Sequence, residues 1–322
     1  MKAALHHRYG PPEVLRIGEM PRPEPRAGEV LVRIHASTVT SGDARIRGFR
    51  TPAIFWLPLR LAMGITGPRN PVPGMEFAGE VAALGPGAGR FRVGQPVFGL
   101  VTRGANADYL ALREDAAIAE MPPGLGFAEA ASVPFGALTA LGFLRDVARV
   151  QPGEHVLVAG AAGAVGSAAV QVARHLGARV SGLCGGDAAE LVRGLGAGTV
   201  HDRHATPVAA LPGGYDVILD TIGTLRPAEG RRLLTQRGRH AFGARELAAM
   251  AWTAAGRGPR VRCGFAGETQ ADLGVIAAML AAGTLRPVIA GRMALDEIVA
   301  AHRLVDAGRK RGSLVIDIAG GG

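Results

Sequence analysis

A chain of 322 residues, 48% of them hydrophobic and 20% charged, has enough apolar surface to order most of its length, which excludes an intrinsically disordered protein. Its 48 glycines follow no Gly-X-Y repeat, which excludes a collagen-like rod. The formal charge is +9, yet the basic residues are scattered, with acids between them and only short clusters such as Arg231-Arg232 and Arg309-Lys310-Arg311, so no nucleic-acid partner is expected.

In chain order, residues 1–5 and 29–36 (EVLVRIHA) read as strands, the second with apolar residues in near alternation. Pro21, Pro23 and Pro25 make their connection an extended loop. Further short strands follow at 79–84 and 96–100, divided by Gly85-Pro86-Gly87 and Val93-Gly94, a rhythm that suggests a small, closed β domain. The character changes near Met121-Pro122-Pro123-Gly124. Residues 127–133 and 136–147 predict helices, and His155–Ala159 (HVLVA) a buried parallel strand. Helices at 166–176 and 188–195 then alternate with strands at 179–183 and 217–220, the β-α-β-α-β pattern of a doubly wound parallel sheet. Helices at 271–282 and near 295–305 and a strand at 313–318 close the chain, and Gly320, Gly321 and Gly322 are expected to fray.

Cys184 and Cys263 are too few for a disulfide framework or a four-cysteine zinc site, and they suit a reducing compartment. The opening MKAALHHRYG lacks the apolar core of a signal peptide, and the most apolar segment, residues 53–65, is interrupted by Pro58 and Arg60. A cytoplasmic protein without membrane association is expected.

The strongest local signal lies where the strand His155–Ala159 runs into Gly160-Ala161-Ala162-Gly163-Ala164-Val165-Gly166 and then into an apolar-faced helix. The spacing matches the dinucleotide fingerprint G-x-G-x-x-G with Ala161 in its first place. Gly163 would let the backbone approach a pyrophosphate, and Gly166 would let the helix pack close to the strand. After the next strand comes Cys184-Gly185-Gly186-Asp187. Asp187 at this place either accepts ribose hydroxyls or caps the following helix, while Arg193 and Arg203 downstream could meet a 2′-phosphate.

The order of these segments carries a wider resemblance. The opening MKAAL, the loop STVTSGDARIRG (37–48), NPVPGMEFAGEVAALG (70–85), AASVPFGALTAL (130–141), the glycine turn and the closing KRGSLVI (310–316) together resemble the medium-chain dehydrogenase/reductase superfamily. Within it, the chain is most similar to the zinc-independent, quinone oxidoreductase-like branch. The resemblance implies an α/β protein: a GroES-like β-barrel catalytic domain over 1–121, completed by 287–322, and a Rossmann cofactor domain over 122–286. Zinc enzymes of the superfamily carry Cys where this chain has Thr40 and His where it has Met75, with a third ligand position near Phe135. Thr, Met and Phe do not make a zinc site, so no metal is expected. His201 and His204 have one-turn spacing but no third ligand nearby, and read as surface residues.

Without a Lewis acid, a plain ketone is a poor hydride acceptor. A quinone or α,β-unsaturated carbonyl spreads the charge through an enolate that hydrogen bonds can hold. The resemblance therefore implies an NAD(P)H-dependent reductase of quinones or enones, with NADPH favoured and NADH possible. The alternatives are a nucleotide-binding sensor or scaffold without redox turnover, and a tailoring reductase of one large metabolite. By resemblance, Thr139 lies near the nicotinamide. Thr221, Ile222, Gly223, Phe242 and Gly243 belong to strand-end loops that hold ribose and carboxamide, and Arg311 to a tail that closes over the cofactor. Relatives usually carry Ser/Thr and a basic residue where this chain has Gly185, Gly186 and Asp187, so Arg193 and Arg203 would have to supply the phosphate contacts.

Thr40, Asp43 and Arg45 stand in the loop that faces substrate in relatives and are the candidate catalytic residues; a loop-stabilising ion pair is the alternative for Asp43 and Arg45. Thr40 and Arg45 replace an Asn and a Tyr common there in quinone reductases. Phe55, Trp56, Met75 and Phe135 are candidate substrate-binding residues. The apolar segment 49–70 reads as a lid or a wall for a bulky substrate, or as a short packed helix or interface patch. A homodimer through an edge strand at 261–265 is expected from relatives.

Overall fold

The structure is a computed structural model that describes residues 1–51, 53–242, 260–263 and 269–318. Of Phe55 and Phe242 only the backbone is described, and Gly243, residues 264–265 of the expected edge strand and the closing Gly320, Gly321 and Gly322 lie outside the described residues. No helix among the described residues is long and apolar enough to cross a membrane.

The chain groups into two compact units. The first takes in Met1–Phe135, Thr269–Ala281 and Pro287–Gly322, and the second Gly136–Glu268 and Ala282–Arg286. The expected boundary fell after residue 121; specific contacts hold the next stretch to the first unit. His35 stacks on Phe127 with ring centroids 4.3 Å apart, the Ser313 hydroxyl donates to the Ser132 carbonyl at 2.7 Å, and the Phe135 N–H donates to Glu76 at 2.7 Å.

In the first unit, one sheet runs in the order Ile289–Ala294, Ser313–Asp317, Glu29–Val39, Glu76–Leu84, Pro96–Leu100, Ile118–Glu120, with Tyr109–Arg113 also paired to Glu29–Val39. Only the first of these pairings is parallel. Glu29–Val39 is 11 residues long and shifts register twice against Glu76–Leu84. The length and the shifts let one strand serve three neighbours. Val32, Ile34, Phe77, Val81 and Ile316 turn their side chains into the core, as a half-buried sheet requires.

The second unit is built on a six-stranded sheet in the order Thr199–Asp202, Arg179–Cys184, His155–Ala159, Tyr215–Asp220, Leu234–Phe242, Arg260–Cys263. Every pairing is parallel. Counted along the chain, the strands lie third, second, first, fourth, fifth, sixth, so the order reverses between His155–Ala159 and Tyr215–Asp220. Ligands of open parallel sheets bind outside the carboxyl ends of the strands at such a reversal. Two strands of this sheet went unread in the sequence, Thr199–Asp202 and Leu234–Phe242. The expected helix 136–147 starts as Pro134–Leu141 and passes into a π turn over Gly142–Val147, beyond which Arg149 takes φ +54°.

Candidate dinucleotide turn and substrate loop

In the second unit, the glycine turn sits at the carboxyl end of the first strand. Gly160 has φ +78°, and its N–H donates to the Leu183 carbonyl at 2.9 Å, tying the turn to the neighbouring strand. A Cβ on Gly166 would collide with the Gly160 carbonyl, so only glycine lets the helix come this close. Gly163 differs: a Cβ there would meet nothing nearer than the Gly160 oxygen at 3.5 Å, which leaves its outer side open. Helix Ala164–His175 begins there with Gly163 as N-cap and no side-chain cap. Its first N–H groups and the positive end of its dipole are therefore available to an anion. Ala161 is buried, whereas Ala162, Ala164 and Val165 are partly exposed on the turn. These features fit the pyrophosphate of a dinucleotide.

The loop after Tyr215–Asp220 lies against this turn. The Thr221 hydroxyl donates to the Ala159 carbonyl at 2.8 Å, and a Cβ on Gly160 would meet Thr221 Oγ1 at 2.5 Å and Ile222 at 3.0 Å. Asp220 shapes the loop by accepting from the N–H groups of Ile222 (3.1 Å), Gly223 (2.8 Å) and Leu225 (2.8 Å). Phe242 ends the next strand, in register with Asp220.

Past the carboxyl end of Arg179–Cys184, the structure gathers Gly185, Asp187, Asp202, Arg203 and His204. The Arg203 N–H donates to the Cys184 carbonyl at 2.8 Å, and its Nε to His204 Nε2 at 3.2 Å. Asp202 accepts from the His204 N–H at 2.9 Å, and its carboxylate occupies the space a side chain on Gly186 would need. Sequence reading missed Asp202, because the strand that carries it was not recognised. Arg193 is exposed in the last turn of Ala189–Gly194. Thr139 is partly exposed on Pro134–Leu141, and Arg311, in the first unit, is exposed.

In the first unit, Thr40 caps helix Ser41–Gly48 in a capping box with Asp43. The Thr40 hydroxyl donates to Asp43 Oδ2 at 2.7 Å and accepts from the Asp43 N–H at 3.0 Å. The other Asp43 oxygen accepts from the Gly74 N–H at 3.1 Å. Thr40 and Asp43 are 4% and 3% exposed, and burial raises the Asp43 pKa against these hydrogen bonds. Arg45 is exposed in the last turn of the same helix.

Thr40, Met75 and Phe135 come together around Gly42. Met75 Sδ lies 3.7 Å from Thr40 Oγ1, and a Cβ on Gly42 would meet Met75 Sδ at 2.7 Å and the Phe135 ring at 3.3 Å. A hydroxyl, a thioether and a phenyl ring do not fit zinc, which is held by thiolate, imidazole or carboxylate. Trp56 is 47% exposed on helix Ala53–Met63 and stands edge-on to Phe49 at 6.1 Å.

Beneath this loop runs a buried polar seam that the sequence did not reveal. Glu76, 1% exposed, accepts from the Thr38 hydroxyl and from the Phe135 N–H. Burial pushes its pKa up to about 7, with the negative charge of Asp43 adding to the rise and Lys310 opposing it. Burial lowers the Lys310 pKa, and its Nζ donates to the Gly312 carbonyl at 2.8 Å.

Comparison with known proteins agrees with this architecture. The alcohol dehydrogenase GroES-like domain matches residues 26–142, and the zinc-binding dehydrogenase family residues 195–316. The chain is 33% identical over 233 residues to the chloroplastic quinone-oxidoreductase homolog of Spinacia oleracea, covering 68% of this chain and 67% of that protein. It is 38% identical over 206 residues, 62% of this chain, to the pikromycin polyketide synthase component PikAII of Streptomyces venezuelae, and spans 5% of that relative's length. The solved quinone oxidoreductase from Coxiella burnetii superposes with a TM-score of 0.87 at 26% identity, over 99% of each chain. A metal-unfit donor set in the first unit, a glycine turn at the sheet reversal of the second and these relatives agree: the chain belongs to the medium-chain dehydrogenase/reductase superfamily, in its quinone oxidoreductase-like branch.

Proposed function

We propose that the protein uses NADPH, in preference to NADH, to reduce a quinone or an α,β-unsaturated carbonyl compound without a metal ion. The observation that carries this reading is the meeting of Thr40, Met75 and Phe135 where relatives hold zinc. With no Lewis acid to polarise an isolated ketone, an acceptor that delocalises its charge is the substrate these side chains can serve. When bound, the reduced nicotinamide supplies the hydride.

The residues of the second unit bind and orient. Residues 160–165 take the pyrophosphate, Thr221, Ile222, Gly223, Phe242 and Gly243 hold the ribose and carboxamide, and Thr139 borders the nicotinamide. Arg203 and Arg193 meet the 2′-phosphate of NADPH; Gly185 and Asp187 line the adenosine ribose. In the first unit, the Thr40 hydroxyl turns its proton from Asp43 Oδ2 to the substrate oxygen while the Asp43 N–H still holds its oxygen, and Arg45 stands on the helix that Thr40 caps. Phe55, Trp56, Met75 and Phe135 contact the apolar body of the substrate. Likeness to a segment of a polyketide synthase favours one narrower version, reduction of a single large metabolite.

The test mixes the protein with NADPH and a panel of quinones, enones and plain ketones while the nicotinamide absorbance is followed. Consumption with quinones or enones and none with plain ketones is expected. Tight nucleotide binding without consumption across the panel would replace the reading with a sensor or scaffold. The cofactor preference is read from dissociation constants. Asp202 beside Gly186 favours ribose hydroxyls while Arg203 and His204 favour a phosphate, and NADH binding as tightly as NADPH would overturn the preference.

A further inference from the structure

Strand Thr199–Asp202 ends beside Arg179–Cys184, with Asp202 in register with Cys184. Its carboxylate therefore reaches the strand end that neighbours the glycine turn, on the side where the adenosine ribose of a dinucleotide lies in an open parallel sheet. An absent side chain makes room for it. A Cβ on Gly186 would meet Asp202 Cγ at 3.0 Å and Oδ2 more closely still. The backbone does not demand glycine there, since Gly186 is not among the glycines with positive φ, and Gly185 beside it has φ −70°. The space that Gly186 leaves at one strand end is filled from the next strand.

Asp202 is also held in place. Its carbonyl accepts from the Thr206 N–H at 2.8 Å and its Oδ1 from the His204 N–H at 2.9 Å, which closes residues 202–206 into a turn. Oδ2, the oxygen that a side chain on Gly186 would displace, makes no hydrogen bond among the described residues. A carboxylate oxygen accepts from a ribose hydroxyl and repels a phosphate. The next residue pulls the other way. Arg203 is exposed, its N–H tied to the Cys184 carbonyl at 2.8 Å. Its Nε is engaged by His204 at 3.2 Å, and its Nη groups meet no carboxylate among the described residues. A guanidinium fork of that kind suits a phosphate. Asp187, the acid closer in sequence, is exposed on the turn Gly186–Ala188 past the strand end.

We propose that Asp202, standing in the space left by Gly186, is the residue that sets the nucleotide preference: Oδ2 accepts from the adenosine ribose 2′-hydroxyl of NADH and opposes the 2′-phosphate of NADPH, against the pull of Arg203. The preference is then a difference between two adjacent residues of opposite charge. This inference rests on the reading of the glycine turn as a dinucleotide site.

Dissociation constants for NADPH and NADH, measured by isothermal titration of the full chain, give the preference as a ratio. Asp202→Asn keeps an acceptor for the His204 N–H and removes the charge; it should tighten NADPH about fivefold and weaken NADH about tenfold. Arg203→Gln should weaken NADPH about tenfold and leave NADH within about twofold. Gly186→Ala puts a methyl group where the carboxylate stands and should shift the ratio in the same direction as Asp202→Asn. In the double variant the alanine should add nothing to the asparagine, because both act on one oxygen. That non-additivity separates a seated carboxylate from a plain change of surface charge. Should Asp202→Asn fail to fold, Gly186→Ala alone carries the same expectation. Asp187→Asn should move the ratio by less than about threefold. A ratio unmoved by Asp202→Asn or Gly186→Ala, one moved as far by Asp187→Asn, or additive effects in the double variant would overturn the proposal while the nucleotide reading stands. A parent chain that binds neither nucleotide would overturn both.

Discussion

Glu76 shows how burial changes the meaning of one residue. Its carboxyl is enclosed, accepts two hydrogen bonds and titrates near about 7 in the folded chain against an ordinary 4.5. Folding therefore takes up a proton between those values, and stability falls as pH rises through that window and stays lower above it. His6 and His240, lowered to about 4, and His302, lowered to about 3 by burial, work in the opposite sense. Their contribution is complete above the ordinary histidine value and is lost as pH falls through the folded one. Replacing Glu76 by Gln removes the first slope and leaves the second. Between pH 5 and pH 8 the variant should gain roughly 2–3 kcal/mol relative to the parent chain, as read by chemical denaturation at both values. An equal difference at the two pH values would show that Glu76 is ionised throughout, held by Lys310 and Thr38.

At the scale of elements, the strand–turn–helix of the second unit separates two glycines that look alike in the sequence. Gly166 faces the Gly160 carbonyl with no room for a methyl group, whereas Gly163, at φ −76°, has an open side. Gly166→Ala should destabilise the chain by about 1–3 kcal/mol through forced backbone displacement. Gly163→Ala should leave the melting temperature within about a degree while raising the NADPH dissociation constant about tenfold, because its methyl group takes the space of a phosphate. Unchanged affinity in the second variant would remove Gly163 from the phosphate site. The turn was legible because His155–Ala159 is a continuous apolar run before regularly spaced glycines. Leu234–Phe242 (LTQRGRHAF) hid its strand behind polar residues, of which the buried Arg239 is neutralised by Glu154 at 2.7 Å. Thr199–Asp202 is an edge strand of four residues, too short for alternation to show, and Asp202 was lost with it. Glu76 was lost for another reason: its environment comes from Thr38, Phe135 and Lys310, which no spacing along the chain connects.

For the molecule as a whole, two compact units divide the chemistry, and the division makes separable demands on stability. A ligand that binds only folded protein stabilises it by about 2.7 kcal/mol at a hundredfold excess over its dissociation constant. The dinucleotide turn and its flanking loops all lie in the second unit, so NADPH should raise the thermal transition of the parallel sheet by several degrees. Where the units melt separately, the transition of the antiparallel sheet should stay in place. A chelator acts through the first unit if it acts at all, since zinc relatives place their ligands at the positions of Thr40, Met75 and Phe135. The hydroxyl, thioether and ring found there give a metal no anchoring charge, and among the described residues no three acids, histidines or cysteines gather elsewhere. Calorimetric scans with EDTA should therefore match scans without it, in the presence and absence of NADPH. A transition lowered by EDTA and restored by zinc would place a metal site in this fold by ligands other than those three. A transition indifferent to both nucleotides would leave the glycine turn as a packing device.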